Sequence, residues 1–269
     1  MFIPDPLLEE AAFLAAAVRE GSLSAREIAR RVAERAQEAW QPIDAAALLR
    51  RAAALDVSGD RGGSLRGVPF VVAGTPSPQT IAALVRAGAV EVTLLAPDTA
   101  RLSEAASAVA RGVAALALAA ARADELAGCG VHALALAGQE AALLARTSRD
   151  LALAADAVAS GGEGTGDVLC RRLTDSVGQG AGTLRIAVVG DVALGGGRLS
   201  LAFERIEAGD AALLERYDAV VARAPHGGAT HLYMSPSAPG RADGLCVSAR
   251  SAAVAVRIGA VLDAERLVG

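Results

Sequence analysis

The stretch "SLRGVPFVVAG", Ser64 to Gly74, decides how this chain is read. Its lead-in, VSGDRGGSLRG over 57–67, is loop-like, and Val68 to Val72 is a β-branched, continuously apolar run that suits a buried strand. Upstream, Leu7 to Glu20 repeats apolar residues at helical spacing and stops before Gly21. Ser24-Ala25-Arg26-Glu27 is a capping-box pattern that opens a second helix, running to about Trp40. A third helix follows Asp44 and ends near Asp56.

Downstream the pattern alternates. Gln79 to Ala87 reads as helix, Val90 to Leu95 as strand and Ser103 to Leu126 as one long Ala-rich helix. Val131 to Leu136 is a further strand and Ser148 to Ala159 an amphipathic helix. SGGEGTGD, 160–167, reads as loop, and the state of Val168 to Val177 stays open. TLRIAVVGDV, 183–192, is the clearest buried strand. Leu199 to Tyr217 reads as helix, Asp218 to Ala222 and DGLCVSA (243–249) as strands, and Ala252 to Arg266 as the last helix. Strands separated by helices imply an α/β fold, with a mixed β-sheet core covered by helices on both faces. One domain over 1–269 is expected, with the N-terminal helices 7–56 packed on its outside.

Composition narrows the class. Aromatics are 3% of the residues, so Ala, Leu and Val must fill the core. The sequence contains no lysine, so all 26 basic residues are arginine, spread among acids on helical faces with a net charge of −4. That distribution gives no basic stripe for nucleic acid. The apolar run Gly112 to Ala121 is too short to span a bilayer. The start, MFIPDPLLEEAA, is acidic and lacks a signal peptide's basic region. Cys129, Cys170 and Cys246 form neither a metal-ligand nor a disulfide spacing, so a cytoplasmic setting without metal or cofactor is expected.

Several blocks, in order, resemble the amidase signature family. LSAREIARRVAERAQEAWQPIDA (23–45) is similar to its N-terminal helices, LRGVPFVV (65–72) to its lysine strand and IAALVRAGAVEVTLL (81–95) to the helix–strand unit that follows. ASAVARGVAALALA (106–119) resembles the helix behind its serine loop, and CGVHALA (129–135) the strand after its nucleophile. ARTSRDLALAADAVAS (145–160), LRIAVV (184–189), ERYDAVVA (215–222) and the segment 243–267 match later elements. The resemblance implies a reduced amidase-signature-like fold.

It also implies a chemistry that this chain lacks. The family cuts amides with a buried neutral lysine as base, a bridging serine and a nucleophilic serine, while backbone N–H groups of a Gly-rich turn hold the oxyanion. Here Ala73 stands at the lysine position, and alignment on Gly112 puts Arg101 at the bridging serine. The nucleophile turn has become AAARADELAG (119–128), and no serine lies between Ser107 and Ser148. The expected function is therefore a catalytically inactive amidase-like protein that binds, scaffolds or regulates. Its expected partner is a second copy or an enzyme of the same pathway.

Two alternatives remain at this level. One is an enzyme acting on an amide or other acyl substrate with replaced residues, for which Cys129 and His132 are the candidates, although an extended 129–132 would turn them to opposite faces. The other is a small-molecule protein whose Arg101 or Arg122 holds a carboxylate or amide ligand. His226 and His231 in PHGGATH read as an exposed loop, since i, i+5 is not helical ligand spacing. Asp124-Glu125 reads as a solvated helix end, and VVGDVALGGGRLS (188–200), with Arg198, as a surface turn rather than a phosphate loop.

Overall fold

A computed structural model describes residues 7, 10–58, 62–95, 101–126, 129–136, 140–162, 184–190, 192, 203–207, 212–223, 229, 231–236 and 244–266. Three helices come first: α1 (Ala11–Glu20), α2 (Ala25–Glu38) and α3 (Ala45–Val57). Each boundary has a local cause. Gly21, at φ 78°, takes the left-handed turn that closes α1. The Ser24 hydroxyl accepts the Glu27 N–H at 3.0 Å, and the Glu27 carboxylate accepts the Ser24 N–H at 2.9 Å. The Asp44 carboxylate caps α3 through the Ala47 N–H at 2.8 Å. Asp56 near the end of α3 accepts the Ala25 N–H, which ties α3 back to the start of α2.

The remaining elements are β1 (Pro69–Ala73), α4 (Pro78–Arg86), β2 (Val90–Val92), α5 (Leu102–Ala110), β3 (Leu116–Ala120), β4 (His132–Leu136), β5 (Ala141–Ala145) and α6 (Ser148–Ala159), followed by β6 (Ile186–Val189), β7 (Phe203–Ile206), α7 (Leu213–Arg216), β8 (Ala219–Ala222), β9 (His231–Met234), β10 (Cys246–Ala249) and α8 (Ala252–Arg266). The described strands form one mixed sheet in the order β2-β1-β3-β5-β4-β9-β10-β8-β6-β7. It is parallel at its two ends and antiparallel from β3 through β8. The crossovers β1–α4–β2 and β2–α5–β3 step in opposite directions, so the right-handed rule places α4 and α5 on opposite faces. With α4 lie α6, α1 and α8, whereas α5 covers β1, β3 and β5 from the other side. Helices thus clothe both faces of a mixed sheet, as the sequence implies.

Several expectations need correction. The segment 103–126 is not one helix: α5 ends at Ala110 with Arg111 as its cap, Gly112 turns at φ 75°, and Leu116–Ala120 is a strand between β1 and β5. Ala and Leu favour helix by only a few tenths of a kcal/mol per residue, and burial in a two-sided ladder outweighs that. Asp124 and Glu125 accordingly sit in a 3₁₀ turn after β3, not at a helix end. Leu199 to Tyr217 is not one helix either, because 203–206 pairs with β6 as strand β7 and, among the described residues of that span, helix covers 213–216. Strands β5 and β9 stand where none was expected. His231 opens β9 rather than lying in an exposed loop, while His226, Arg198, Cys170 and the 168–177 segment lie outside the described residues.

Candidate functional site at the end of strand β1

Strand β1 delivers Ala73 to the C-terminal end of the parallel strands, the end where open α/β sheets place their ligands. Ladder register aligns Ala73 with Ala119 of β3, Ala119 with Ala142 of β5, and Ala142 with Ala135 of β4. Directly opposed residues of neighbouring strands share a face, so four methyl groups stand abreast across four strands. Ala73, Ala119 and Ala142 are each at most 1% exposed. The packing continues to the next residue, since a Cβ placed on Gly74 would come within 2.9 Å of the Ala120 methyl.

Two arginines share this end of the sheet through their positions at the entry of α5 and the exit of β3. Both are exposed. The Arg101 N–H donates to Glu104 Oε2 at 2.9 Å, which caps α5. Arg122 donates its N–H to Glu125 Oε2 at 2.7 Å, and its Nε lies 3.3 Å from Asp124 Oδ1. Such solvent-exposed pairing holds a turn with little energy.

His132 is elsewhere. It begins β4 in the row of Ala145, Leu116 and Phe70, at the opposite end of the strands from Ala73. Three residues along and three strands across separate the two backbones by about 17 Å. His132 Nδ1 lies 2.7 Å from the Tyr233 hydroxyl. Tyr233 is fully buried against α8, where Gly259 leaves room for its ring: a Cβ there would meet Cε1 at 2.2 Å. The histidine therefore anchors the one large aromatic ring of that interface. Cys129 contacts the Glu125 carbonyl at 4.0 Å, and burial pushes its thiol up, away from the nucleophilic thiolate. The thiol of Cys246, buried in β10, is pushed up to about 12. Burial lowers His231, which favours the neutral ring. Among the described residues no three His, Cys, Asp or Glu side chains group as a metal site would require. Nor is any described helix long and apolar enough to cross a membrane. The sequence-derived set thus divides: Ala73, Arg101 and Arg122 share one end of the sheet, and His132 lies at the other.

No protein-family model and no curated protein matches the sequence. Solved structures do. One, described as an unexpected vestigial protein complex that reveals the evolutionary origins of an s-triazine catabolic enzyme, in inhibitor-bound form, aligns with a TM-score of 0.69 over 95% of this chain and 98% of its own at 15% identity. A bacterial aryl acylamidase of the amidase signature enzymes aligns with a TM-score of 0.68 at 12% identity over 97% of each chain. The peptide amidase of Stenotrophomonas maltophilia follows at 0.65 and 14%, over 97% of this chain and 98% of its own. This is the amidase-signature fold.

Within the amidase-signature fold of this chain, sequence reasoning passed over one buried acid. Asp150, in the first turn of α6, accepts the Ala11 N–H on Oδ1 at 2.7 Å and so caps α1 from another helix. Its Oδ2 is buried without a hydrogen-bond partner, and burial pushes the carboxyl up to about 6. The signal was present in Thr147, whose hydroxyl caps the Asp150 N–H at 3.1 Å from the usual three-residue spacing. Two adjoining cavities were also missed. Both are lined by Trp40, Gln41 and Pro42, and neither touches Ala73 or the arginines 101 and 122.

Proposed function

We propose that this protein is a catalytically inactive carrier of the amidase-signature fold that works by binding, as a scaffolding or regulatory partner of a second copy or of an active enzyme. The row Ala73–Ala119–Ala142–Ala135 carries the reading. Amide hydrolysis by the family's route needs a base at the end of β1, and methyl groups neither take nor relay a proton. No lysine exists in the sequence to supply that base from elsewhere. His132 and Cys129 do not replace it: the imidazole is engaged by Tyr233 and lies across the sheet, and the thiol is held protonated. The description of one similar structure as a vestigial protein complex supports a role exercised with a partner.

The test is a panel of amides and esters incubated with the purified chain, paired with light scattering at low micromolar concentration. No turnover above the uncatalysed rate is expected, together with a mass above that of one chain or a stable complex with an added amidase-fold enzyme. Turnover that co-purifies with the protein and disappears in Cys129→Ala or His132→Ala would overturn the reading in favour of replaced catalytic residues.

A further inference from the structure

Trp40 is the chain's only tryptophan, and it is 92% exposed. Its place in the backbone makes this more unusual. The Gln41 N–H reaches the Ala36 carbonyl at 2.9 Å and the Trp40 N–H reaches Gln37 at 3.1 Å, which is the Schellman closure of α2. Trp40 occupies the left-handed position of that closure, at φ 53°, where glycine is the natural residue. Neither the turn nor the core calls for an indole here.

Beside it lie two cavities of about 300 and 340 Å³. A void of roughly 150 Å³ accepts a benzene ring, so either has room for a substituted bicycle. One is walled by the outward stripe of α5, Ser103, Glu104, Ser107 and Arg111, and by Leu94 and Leu95. Arg111 Nη1 donates to the Ala39 carbonyl at 2.8 Å and so holds α5 against the end of α2. Gln41 lines both cavities. Its Nε2 donates to the Glu104 carbonyl through one bond of 3.2 Å, and its Oε1 is buried with no hydrogen-bond partner. A buried acceptor left unmatched is unfavourable, and an incoming N–H relieves it.

We propose that this face is a binding site for a small, flat, uncharged heteroaromatic molecule carrying an N–H donor. The ring stacks on the Trp40 indole over Pro42 and Leu95, and the N–H meets Gln41 Oε1 after a small rotation of that side chain. The Ser103 and Ser107 hydroxyls face a ring nitrogen acceptor, and the Glu104 carboxylate and Arg111 guanidinium in the same lining offset each other, which suits an uncharged ring. The site belongs to α2 and α5 and does not depend on whether the Ala73 end is catalytic.

Because Trp40 is the sole tryptophan, its emission reads the site directly. Benzimidazole, neutral at pH 7.5, is the probe, and 1-methylbenzimidazole, the same ring without the N–H, is its control. The expected result is a saturable change with benzimidazole, about tenfold weaker binding of the methylated ring, and loss of that difference in Gln41→Met. Trp40→Gly suits the left-handed turn, so it is expected to fold at least as stably while calorimetric binding of benzimidazole falls at least tenfold. No saturable signal up to the probe's solubility would overturn the proposal, and so would equal binding of the two rings by the unmodified chain.

Discussion

Across β3 and β5 the sheet is clad on both faces, with α5 on one side and α6, backed by α4 and α1, on the other. From β8 to β7, among the described residues, the second face carries little more than α7. The cores show the same difference. Val71, Leu118, Leu143 and Leu134 belong to one continuous buried cluster that runs from α1 to α8. Ala187, Val220, Leu213 and Leu214 form a small cluster of their own beneath β6 and β8. The pleat explains the division, because Ile186 and Val188 on one side of β6 join the large core while Ala187 between them faces the small one. Among the described residues the large cluster thus extends along the sheet as far as β6, and the small one occupies the opposite face of β6 and β8.

The sharpest way to break this comparison is Leu118→Ala. Leu118 is fully buried at the centre of β3, between Val72 and Leu143, and cannot be replaced by solvent without a cavity. Chemical denaturation should show a loss of about 4 kcal/mol. Next comes Asp150, whose carboxyl rises from 3.8 to about 6 on folding. A raised acid disfavours the ionised fold, so the stability this group allows is full below pH 4 and falls as pH rises to 6 and above. The difference amounts to about 3 kcal/mol. Asp150→Asn keeps an acceptor for the Ala11 N–H and should flatten the dependence, which denaturation series at pH 4.5 and 7.5 would measure.

Leu213→Ala probes the thinner half. A loss of about 2 kcal/mol is expected, at the low end for a buried leucine because the small cluster has few neighbours to strand. Hydrogen exchange should quicken in β6 and β8 and stay slow in β1 and β3. A global loss equal to that of Leu118→Ala would remove the distinction between the halves. The smallest effect is local to α2: Ser24→Ala deletes the hydroxyl that accepts the Glu27 N–H and should cost about 1 kcal/mol, read by thermal melting.

Elements with punctuation were legible in the sequence. Gly21, Ser24, Asp44 and Thr147 mark their helix ends by chemistry that acts within four residues, and β1 and β6 are β-branched runs bounded by turns. Strands β3 and β5 were not, because LALAA and AALLA are helix-forming residues whose state is set by neighbours distant in the chain. A fully buried strand and a buried helix share the same unbroken apolar pattern. Edge strand β7 misleads for the opposite reason: Phe203, Glu204 and Arg205 are all exposed, so no apolar alternation announces it. At the candidate site the place of Ala73 at the end of a buried strand was readable from the β-branched run before it. The alignment of four alanines was not, since register between β1, β3, β5 and β4 is a property of the folded ladder. Trp40 was visible as a letter, and only the left-handed turn beneath it reveals how it is presented.

That alanine row also bears on what this end of β1 can accommodate. A lysine introduced at 73 would bring a long side chain into a row whose neighbours are methyls, with no hydroxyl on the adjoining strands β2 and β3 from which it could take a proton. Ala73→Lys alone should therefore yield a poorly folded or silent protein. A charged side chain fits this end of β1 only if the facing alanines change with it.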